Sequence, residues 1–130
     1  MYSITTHNVT VSVEPTYLDG ESAPDKNLFV WAYTVRIENN GNETLQLRTR
    51  HWKITDSMGR TQEVKGPGVV GEQPVLKPGE SFEYTSGTPL GTPSGIMAGS
   101  YAMEMTDGTL VDVDIPAFSL DTPGAPRQLH

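Results

Sequence analysis

The sequence contains no cysteine among its 130 residues. This absence excludes disulfide bonds, thiolate metal sites, iron–sulfur clusters and cysteine nucleophiles. The sequence also has no apolar run that approaches the roughly 20 residues of a membrane-spanning helix, so we expect no membrane insertion. Its first residues, "MYSITTHNVTVSVEP", show neither the basic region nor the continuous apolar region of a secretory signal. A cytoplasmic location is therefore expected.

Basic residues are scarce. Nine Lys and Arg stand against sixteen Asp and Glu, which gives a net charge of −7, and residues 61–130 carry only three basic against nine acidic residues. Positive charge clusters only at Arg48, Arg50, Lys53 and Arg60. Nucleic-acid binding depends on a basic surface that displaces phosphate counterions, so we expect no nucleic-acid partner.

Helical periodicity is also absent, whereas the two-residue alternation typical of strands is frequent. It is clearest in "FVWAYTVRIEN", where Phe29, Trp31 and Tyr33 alternate with Val30, Ala32 and Thr34. Similar runs separated by turn signals predict an all-β antiparallel β-sandwich of about seven strands, of fibronectin type III or immunoglobulin type, with a small β-barrel as the alternative. The length predicts a single domain over residues 1–124, and the polar end, residues 121–130, is expected to be a flexible tail.

Several segments depart from simple alternation. Leu45 and Leu47 occupy odd positions, but Trp52 and Ile54 occupy even ones, which predicts a bulge, bend or break between Arg48 and His51. The segments "KGPGVVGEQPVLKPGES" and "SGTPLGTPSGIMAG" are rich in glycine and proline, and both are predicted to be loops. Pro78-Gly79 predicts a type II turn, and Asp107-Gly108 predicts a hairpin turn.

Three glycines, Gly66, Gly68 and Gly71, match the G-x-G-x-x-G spacing of dinucleotide-binding folds. That motif needs a following helix, because the phosphate lies at the helix N-terminus, and Pro74 and Pro78 prevent such a helix. The favoured interpretation is a turn-forming loop between strands. Amides from Gly68 to Gly71 that bind some anion form the weaker alternative. No cofactor is expected.

Candidate metal and catalytic residues are few. Asp112 and Asp114 share one strand face and could hold a hard cation, but the favoured interpretation is a charged face that protects an edge strand from aggregation. None of the histidines stands two or four residues from another. The sequence contains no G-x-S-x-G motif, so we predict no catalytic residues.

The segment "RTRHWKITD" offers the strongest recognition candidate. Trp52 is predicted to be a core residue, whereas Arg48, Arg50 and His51 fall where the strand alternation changes. Arginine is enriched among the residues that dominate protein interfaces, so these three residues are the predicted partner-binding edge.

Taken in order, the motifs "YTVRIEN", "LRTRHWKITDSMGR", "EVKGPGVVGEQPVLKPGESFEYTSGTPL", "GSYAMEM" and "DVDIPAFSL" resemble the bacterial ApaG proteins. The resemblance runs from about Ile4 to Asp121. It implies a fibronectin type III-like β-sandwich in a small cytoplasmic protein. It also implies an association with cobalt and magnesium efflux or resistance, without a mechanism. Related domains inside larger eukaryotic proteins, among them an F-box protein, imply a partner-binding module.

We therefore predict a non-enzymatic protein-interaction domain with an unidentified protein partner. The alternative is a domain that binds a nucleotide polyphosphate or a divalent cation, although a small-molecule ligand is the less favoured expectation. A hydrolase of dinucleoside polyphosphates ranks third, because the sequence offers no evident base or metal cage.

Overall fold

In the computed structural model, which describes residues 1–123, nine strands form two antiparallel sheets that face each other. The strand order is β1-β2-β3-β7 in the first sheet and β5-β4-β8-β9 in the second, where β6 also pairs with β4. The strands are β1 (Tyr2–Thr6), β2 (Val9–Tyr17), β3 (Phe29–Asn39), β4 (Leu45–Asp56), β5 (Thr61–Pro67), β6 (Val75–Leu76), β7 (Ser81–Leu90), β8 (Ser94–Met105) and β9 (Leu110–Asp121).

The predicted β-sandwich is confirmed, and the two sheets do not close into the alternative small barrel within the described residues. The predicted count of about seven strands is too low, because β1 and the short β6 carry little hydrophobic alternation. Short 3-10 turns, Asp19–Glu21 and Pro24–Lys26, lie between β2 and β3. None of the described elements is a helix of the length and apolarity needed to cross a membrane.

The predicted loop over residues 86–99 is wrong, because β7 continues to Leu90 and β8 already begins at Ser94. Two glycines in this stretch are required by close backbone contact rather than by a turn. A Cβ atom on Gly99 would lie 2.2 Å from the His51 carbonyl oxygen, and one on Gly95 would lie 2.7 Å from the Thr55 carbonyl oxygen. Glycine inside a strand often marks such an approach, which composition alone does not separate from a loop.

Other turn predictions are confirmed. Gly79 has a φ of +85°, and the Glu80 amide donates a hydrogen bond of 2.9 Å to the Lys77 carbonyl, as the Pro78-Gly79 turn requires. Gly108, with a φ of +89°, lies in the hairpin between β8 and β9. At the end of the described chain, Asp121 belongs to β9 and Thr122 bonds to Pro93, while residues 124–130 of the predicted tail lie outside the described part.

The core lies between the sheets and is rich in aromatic side chains. Tyr33 and Phe118 come from opposite sheets, with ring centroids 6.2 Å apart, and Trp52 packs against both. The largest fully buried side chains are Trp31, Ile37, Leu47, Met97, Tyr101, Met103, Phe118 and Leu120.

The two lateral edges of the sandwich differ. At one edge β9 packs against β1 and β2, and we call this the closed edge. At the other, β5 and β7 flank a cleft between the sheets, and we call this the open edge.

Candidate functional site

The cleft at the open edge has a volume of about 230 Å³ and receives side chains from both sheets. Its apolar part is formed mainly by β4 and β5, and its hydroxyl groups come from β3 and β7. One charged residue, Arg50, lines it. The lining residues are Tyr33, Arg50, Trp52, Ile54, Gln62, Val64, Ser86, Gly87, Thr88, Pro89 and Met97.

Arg50 lies on the inner side of the sheet because β4 contains a bulge. The pairing of β4 with β8 shifts register between Leu47 and Thr49, which leaves Arg48 as the extra residue and confirms the predicted irregularity. Since side chains alternate faces, Arg50 then shares the inner face with the buried Trp52. His51 lies on the opposite, outer face, so the predicted recognition edge is divided between two surfaces.

The guanidinium of Arg50 is held by the backbone that follows β5. Its Nη1 donates hydrogen bonds of 2.9 Å to the carbonyl oxygens of Pro67 and Gly68. The group also rests against Gly66, where a Cβ atom would lie 3.1 Å from both Nη1 and Nη2. Gly66 therefore provides the space that the guanidinium occupies, which is a structural reason for one of the three motif glycines.

The other two motif glycines shape a tight hairpin. Val69 and Glu72 exchange backbone hydrogen bonds of 2.8 and 2.9 Å around Val70 and Gly71, whose φ angles are +44° and +81°. Positive φ at both central residues defines a type I′ turn. Gly68, with a φ of +62°, precedes it, and a Cβ atom there would lie 2.3 Å from the Glu72 carbonyl oxygen.

This hydrogen bonding limits the proposed anion loop. The Gly68 amide donates to the Arg48 carbonyl, and the Val69 amide donates to the Glu72 carbonyl. Of the four amides from Gly68 to Gly71, two are therefore already used within the fold. The glycine run positions Arg50 and closes a hairpin, which is a different role from the phosphate cradle that its spacing suggests.

Arg48 is engaged in surface contacts. Its Nε lies 3.1 Å from Glu104 Oε1, and its Nη1 lies 3.4 Å from Gln73 Oε1. Both members of the Arg48–Glu104 pair are partly exposed, and exposed ion pairs typically contribute about 0–1 kcal/mol. Arg48 thus fixes the bulge to β8 and to the loop before β6, and its charge is already matched by a carboxylate.

His51 faces a shallow outer groove of about 430 Å³, lined by Thr49, Arg50, His51, Lys65, Gly66 and Pro67. Its Nε2 is buried and makes no hydrogen bond within residues 1–123, and the nearest carboxylate oxygen, Oε1 of Glu63, is 3.7 Å away. The groove therefore combines basic side chains with a largely apolar lining surface. It adjoins the cleft, because Arg50 lines both.

Tyrosine hydroxyls lie deeper inside the open edge. The hydroxyls of Tyr84 and Tyr101 form a buried hydrogen bond. Burial raises the pKa of Tyr33, Tyr84 and Tyr101, and the positive charge of Arg50 opposes the rise at all three. At Tyr33 a hydrogen bond with Ser86 also lowers the pKa. These hydroxyls are therefore neutral hydrogen-bond donors and acceptors at physiological pH. They lie close enough to Arg50 for its positive charge to affect their pKa values.

Asp112 and Asp114 are exposed on β9, where they pair with Ala102 and Ser100 of β8. Neither neighbour supplies a metal ligand. Throughout residues 1–123, no group of three or more His, Cys, Asp or Glu side chains could hold a metal ion.

Sequence reasoning missed Tyr33, Ser86 and Val70. Tyr33 belongs to the core alternation, and Ser86 stands in a segment that was predicted to be a loop. Val70 is 56% exposed at the hairpin tip in a left-handed conformation that β-branched residues rarely adopt. The only sequence signal for an exposed Val70 is the segment "GVVG", in which two valines lie between two glycines.

Comparison with known proteins identifies a family of similar sequence and structure. Residues 19–105 match the model of the ApaG domain family, DUF525. The chain is 63% identical over its whole length and that of the relative to "Protein ApaG" of Parvibaculum lavamentivorans, and 66% identical, again over both whole chains, to "Protein ApaG" of Paramagnetospirillum magneticum. A crystal structure of a Bordetella pertussis protein described as ApaA is 47% identical, with a TM-score of 0.87 over 96% of this chain and 100% of that one.

Proposed function

The chain belongs to the ApaG domain family, and we propose that it is a non-enzymatic module that binds a protein partner through its open edge. The observation that carries this proposal is the asymmetry of the sandwich. Its closed edge is covered by the contacts of β9, whereas its open edge combines a cleft and a basic groove.

The residue types of the open edge suit an interface. Arg50 is fixed by backbone carbonyls, so little side-chain entropy is lost when it meets a partner. Val70 projects from the hairpin next to it, and Tyr33 and Trp52 line the cleft. Arginine, tyrosine and tryptophan are enriched among interface hot spots. The edges of β5 and β7, which no other strand of residues 1–123 pairs with, add backbone groups to which an extended segment could bond.

The arrangement of His51 supports a binding role over catalysis. A general base must lie within hydrogen-bonding reach of the group that it activates. His51 lies on the outer face of β4, whereas the hydroxyls of Ser86 and Tyr33 line the cleft on the inner face. Among residues 1–123, the remaining polar side chains of the cleft are one arginine, the amide of Gln62 and hydroxyl groups.

The nucleotide alternative has less support. Ligand sites for small molecules usually enclose about 300–1,000 Å³; the cleft, at about 230 Å³, is smaller than this range, and the adjoining groove, at about 430 Å³, is shallow and open rather than enclosing. Two amides of the glycine run are engaged within the fold. The association with cobalt and magnesium that the family resemblance implies would then arise through the bound partner.

Affinity capture from an extract of the source organism, with quantitative mass spectrometry, tests the proposal. The unmodified protein is compared with Arg50→Gln, His51→Ala and, as a matched control, Arg36→Gln. Arg36 lies on the outer face of the first sheet and pairs with Glu38. We expect a reproducible partner that is lost with the open-edge variants and retained with the control. A partner that binds all the variants equally would contradict the proposal.

A further inference from the structure

Arg50 differs from the other arginines of residues 1–123 in having no acidic partner. Arg36, Arg48 and Arg60 each lie within 3.2 Å of a carboxylate oxygen, although all three are substantially exposed. Arg50 is partly exposed, as Arg48 is, but in a protein with sixteen acidic residues it forms no ion pair within the described part. Partly buried charges are ordinarily matched by an opposite charge, because water compensates them less than it does at the surface. An anion is therefore the group that this position lacks.

The geometry of the guanidinium selects the kind of anion. Nη1 is occupied by the carbonyls of Pro67 and Gly68, and one face of the group rests on Gly66. Within residues 1–123, Nε and Nη2 donate no hydrogen bond. These two groups lie on one edge of the planar guanidinium and match the two oxygens of a carboxylate. Because Nη1 is fixed by two carbonyl oxygens, the edge formed by Nε and Nη2 is already oriented for a carboxylate.

The rest of the cleft indicates what the carboxylate is attached to. Trp52, Ile54, Val64 and Met97 form an apolar wall, and Ser86 and Thr88 add hydroxyl groups. A volume of about 230 Å³ accommodates one medium-sized side chain rather than a nucleotide. A C-terminal residue of apolar type, such as leucine, has an apolar side chain and a carboxylate on the same carbon atom, which fits a small apolar cleft with an arginine.

We propose that the open edge binds the C-terminal residue of a partner polypeptide, with its carboxylate on Nε and Nη2 of Arg50 and its apolar side chain in the cleft. This proposal rests on the proposed protein-binding function and specifies the partner's chemistry. The hydroxyls of Ser86 and Tyr33, which both line the cleft, supply further donors beside the carboxylate. The preceding residues of the partner would extend along the unpaired edge of β5 or β7.

Titration of the ¹⁵N-labelled protein with short peptides tests this proposal. The probe is an acetylated hexapeptide of glycine and serine that ends in leucine with a free carboxylate. The comparison peptides are the same hexapeptide with an amidated C-terminus, and an amidated one with an internal aspartate. We expect saturable shifts at Tyr33, Arg50 and Ser86 with the free acid, and affinity weaker by about tenfold or more with both comparison peptides.

Two substitutions separate recognition from folding. Arg50→Gln should weaken binding of the free acid by about tenfold or more, because the charged donors are lost. Since this change also leaves two carbonyls without their donor, Val64→Phe provides a second variant, which fills the cleft and keeps Arg50. It should abolish binding while the tyrosine and tryptophan resonances stay dispersed. Arg36→Gln, the control, should bind normally.

Equal affinity for the acid and the amide, tighter binding of the aspartate peptide, or no saturable shift would each overturn the proposal. The outcome is separable from that of the broader function. If a partner is captured through Arg50 but the free-acid peptide does not bind, the C-terminal proposal fails and the protein-binding function stands. If capture is independent of Arg50, the broader function itself fails.

Discussion

The closed and open edges of this sandwich are built from similar strands but use their side chains differently. At the closed edge, the rings of Tyr2 and Phe118 lie 5.9 Å apart, and the Asp114 amide donates a hydrogen bond to Thr6 Oγ1. At the open edge the corresponding space holds Arg50 and hydroxyl groups. One edge is joined by apolar packing between the sheets. The other keeps polar groups where a partner could reach them.

The difference between the two edges indicates that one edge of the sandwich contributes mainly to stability and the other mainly to recognition. Exposed strand edges invite pairing with other chains, and natural proteins usually cover or charge them. Here the contacts of β9 cover one side, whereas β5 and β7 stay separated by the cleft. Substitutions at the closed edge should therefore change mainly the free energy of unfolding, and those at the open edge mainly the affinity for a partner.

The largest expected effect lies in the core, where Phe118 connects the closed edge to the aromatic side chains between the sheets. Phe118 is 1% exposed and packs against Tyr2, Tyr33 and Trp52. Phe118→Ala would leave a cavity between the sheets and should lower the free energy of unfolding by about 3–5 kcal/mol. Urea denaturation followed by tryptophan fluorescence measures the change. Val64→Ala, at the half-buried open edge, is the control and should cost clearly less. Equal losses at the two edges would remove the distinction between them.

The interior strands of the first sheet were largely predictable from the sequence. Alternation in "VTVSVEP" and "FVWAYTVRIEN" identifies β2 and β3, because burial of one sheet face imposes a period of two. The same rule does not identify strands that contain glycine for backbone contact, so the sequence predicts a loop over residues 86–99. A glycine in the sequence can indicate either a turn or a close backbone contact inside a strand. Which of the two applies depends on the strand that lies alongside, and the sequence does not show that strand.

The open edge was only partly predictable. The change of alternation between Leu47 and Trp52 located a bulge, but not the residue that forms it. That residue, Arg48, decides that Arg50 faces inward and His51 outward. The sequence also placed Arg48, Arg50 and His51 together without showing that Arg48 has an acidic partner and that Arg50 has none among residues 1–123. Both facts depend on strands that are distant in the chain, such as β8, and thus on tertiary pairing.

A smaller difference in stability is expected between alanine variants of Gly68 and Gly71, the two glycines that follow Gly66, the residue paired with Arg50. Gly68→Ala combines a φ of +62° with a Cβ atom 2.3 Å from a backbone oxygen, so we expect a loss of about 2–3 kcal/mol. Gly71→Ala has a φ of +81° and nothing within 4 Å, so strain alone should cost about 1 kcal/mol. Because the Gly68 carbonyl accepts from Arg50, only Gly68→Ala should also weaken partner binding. Urea denaturation and the peptide titration measure both effects, and equal behaviour of the two variants would contradict this role for Gly68.

The smallest expected effect compares two hairpins with the same turn geometry. At the β1–β2 hairpin the residues with positive φ are His7 and Asn8, at +49° and +61°, and both residue types tolerate this conformation. At the open edge, Val70 occupies the equivalent first position at +44°, although a β-branched side chain is disfavoured there. The open edge thus retains a local strain that the other hairpin avoids.

Val70→Asn should relieve that strain and stabilise the protein by about 1 kcal/mol, because asparagine suits a type I′ turn. The same change removes an exposed apolar side chain beside the cleft, so affinity for the captured partner should fall while the free energy of unfolding rises. His7→Asn, the matched control in the other hairpin, should leave affinity unchanged and alter stability by only a few tenths of a kcal/mol, since histidine already tolerates the left-handed conformation. Urea denaturation and quantitative capture provide the two readouts. A gain in stability with undiminished affinity would mean that Val70 takes no part in recognition and that the strain at the open edge serves no binding role.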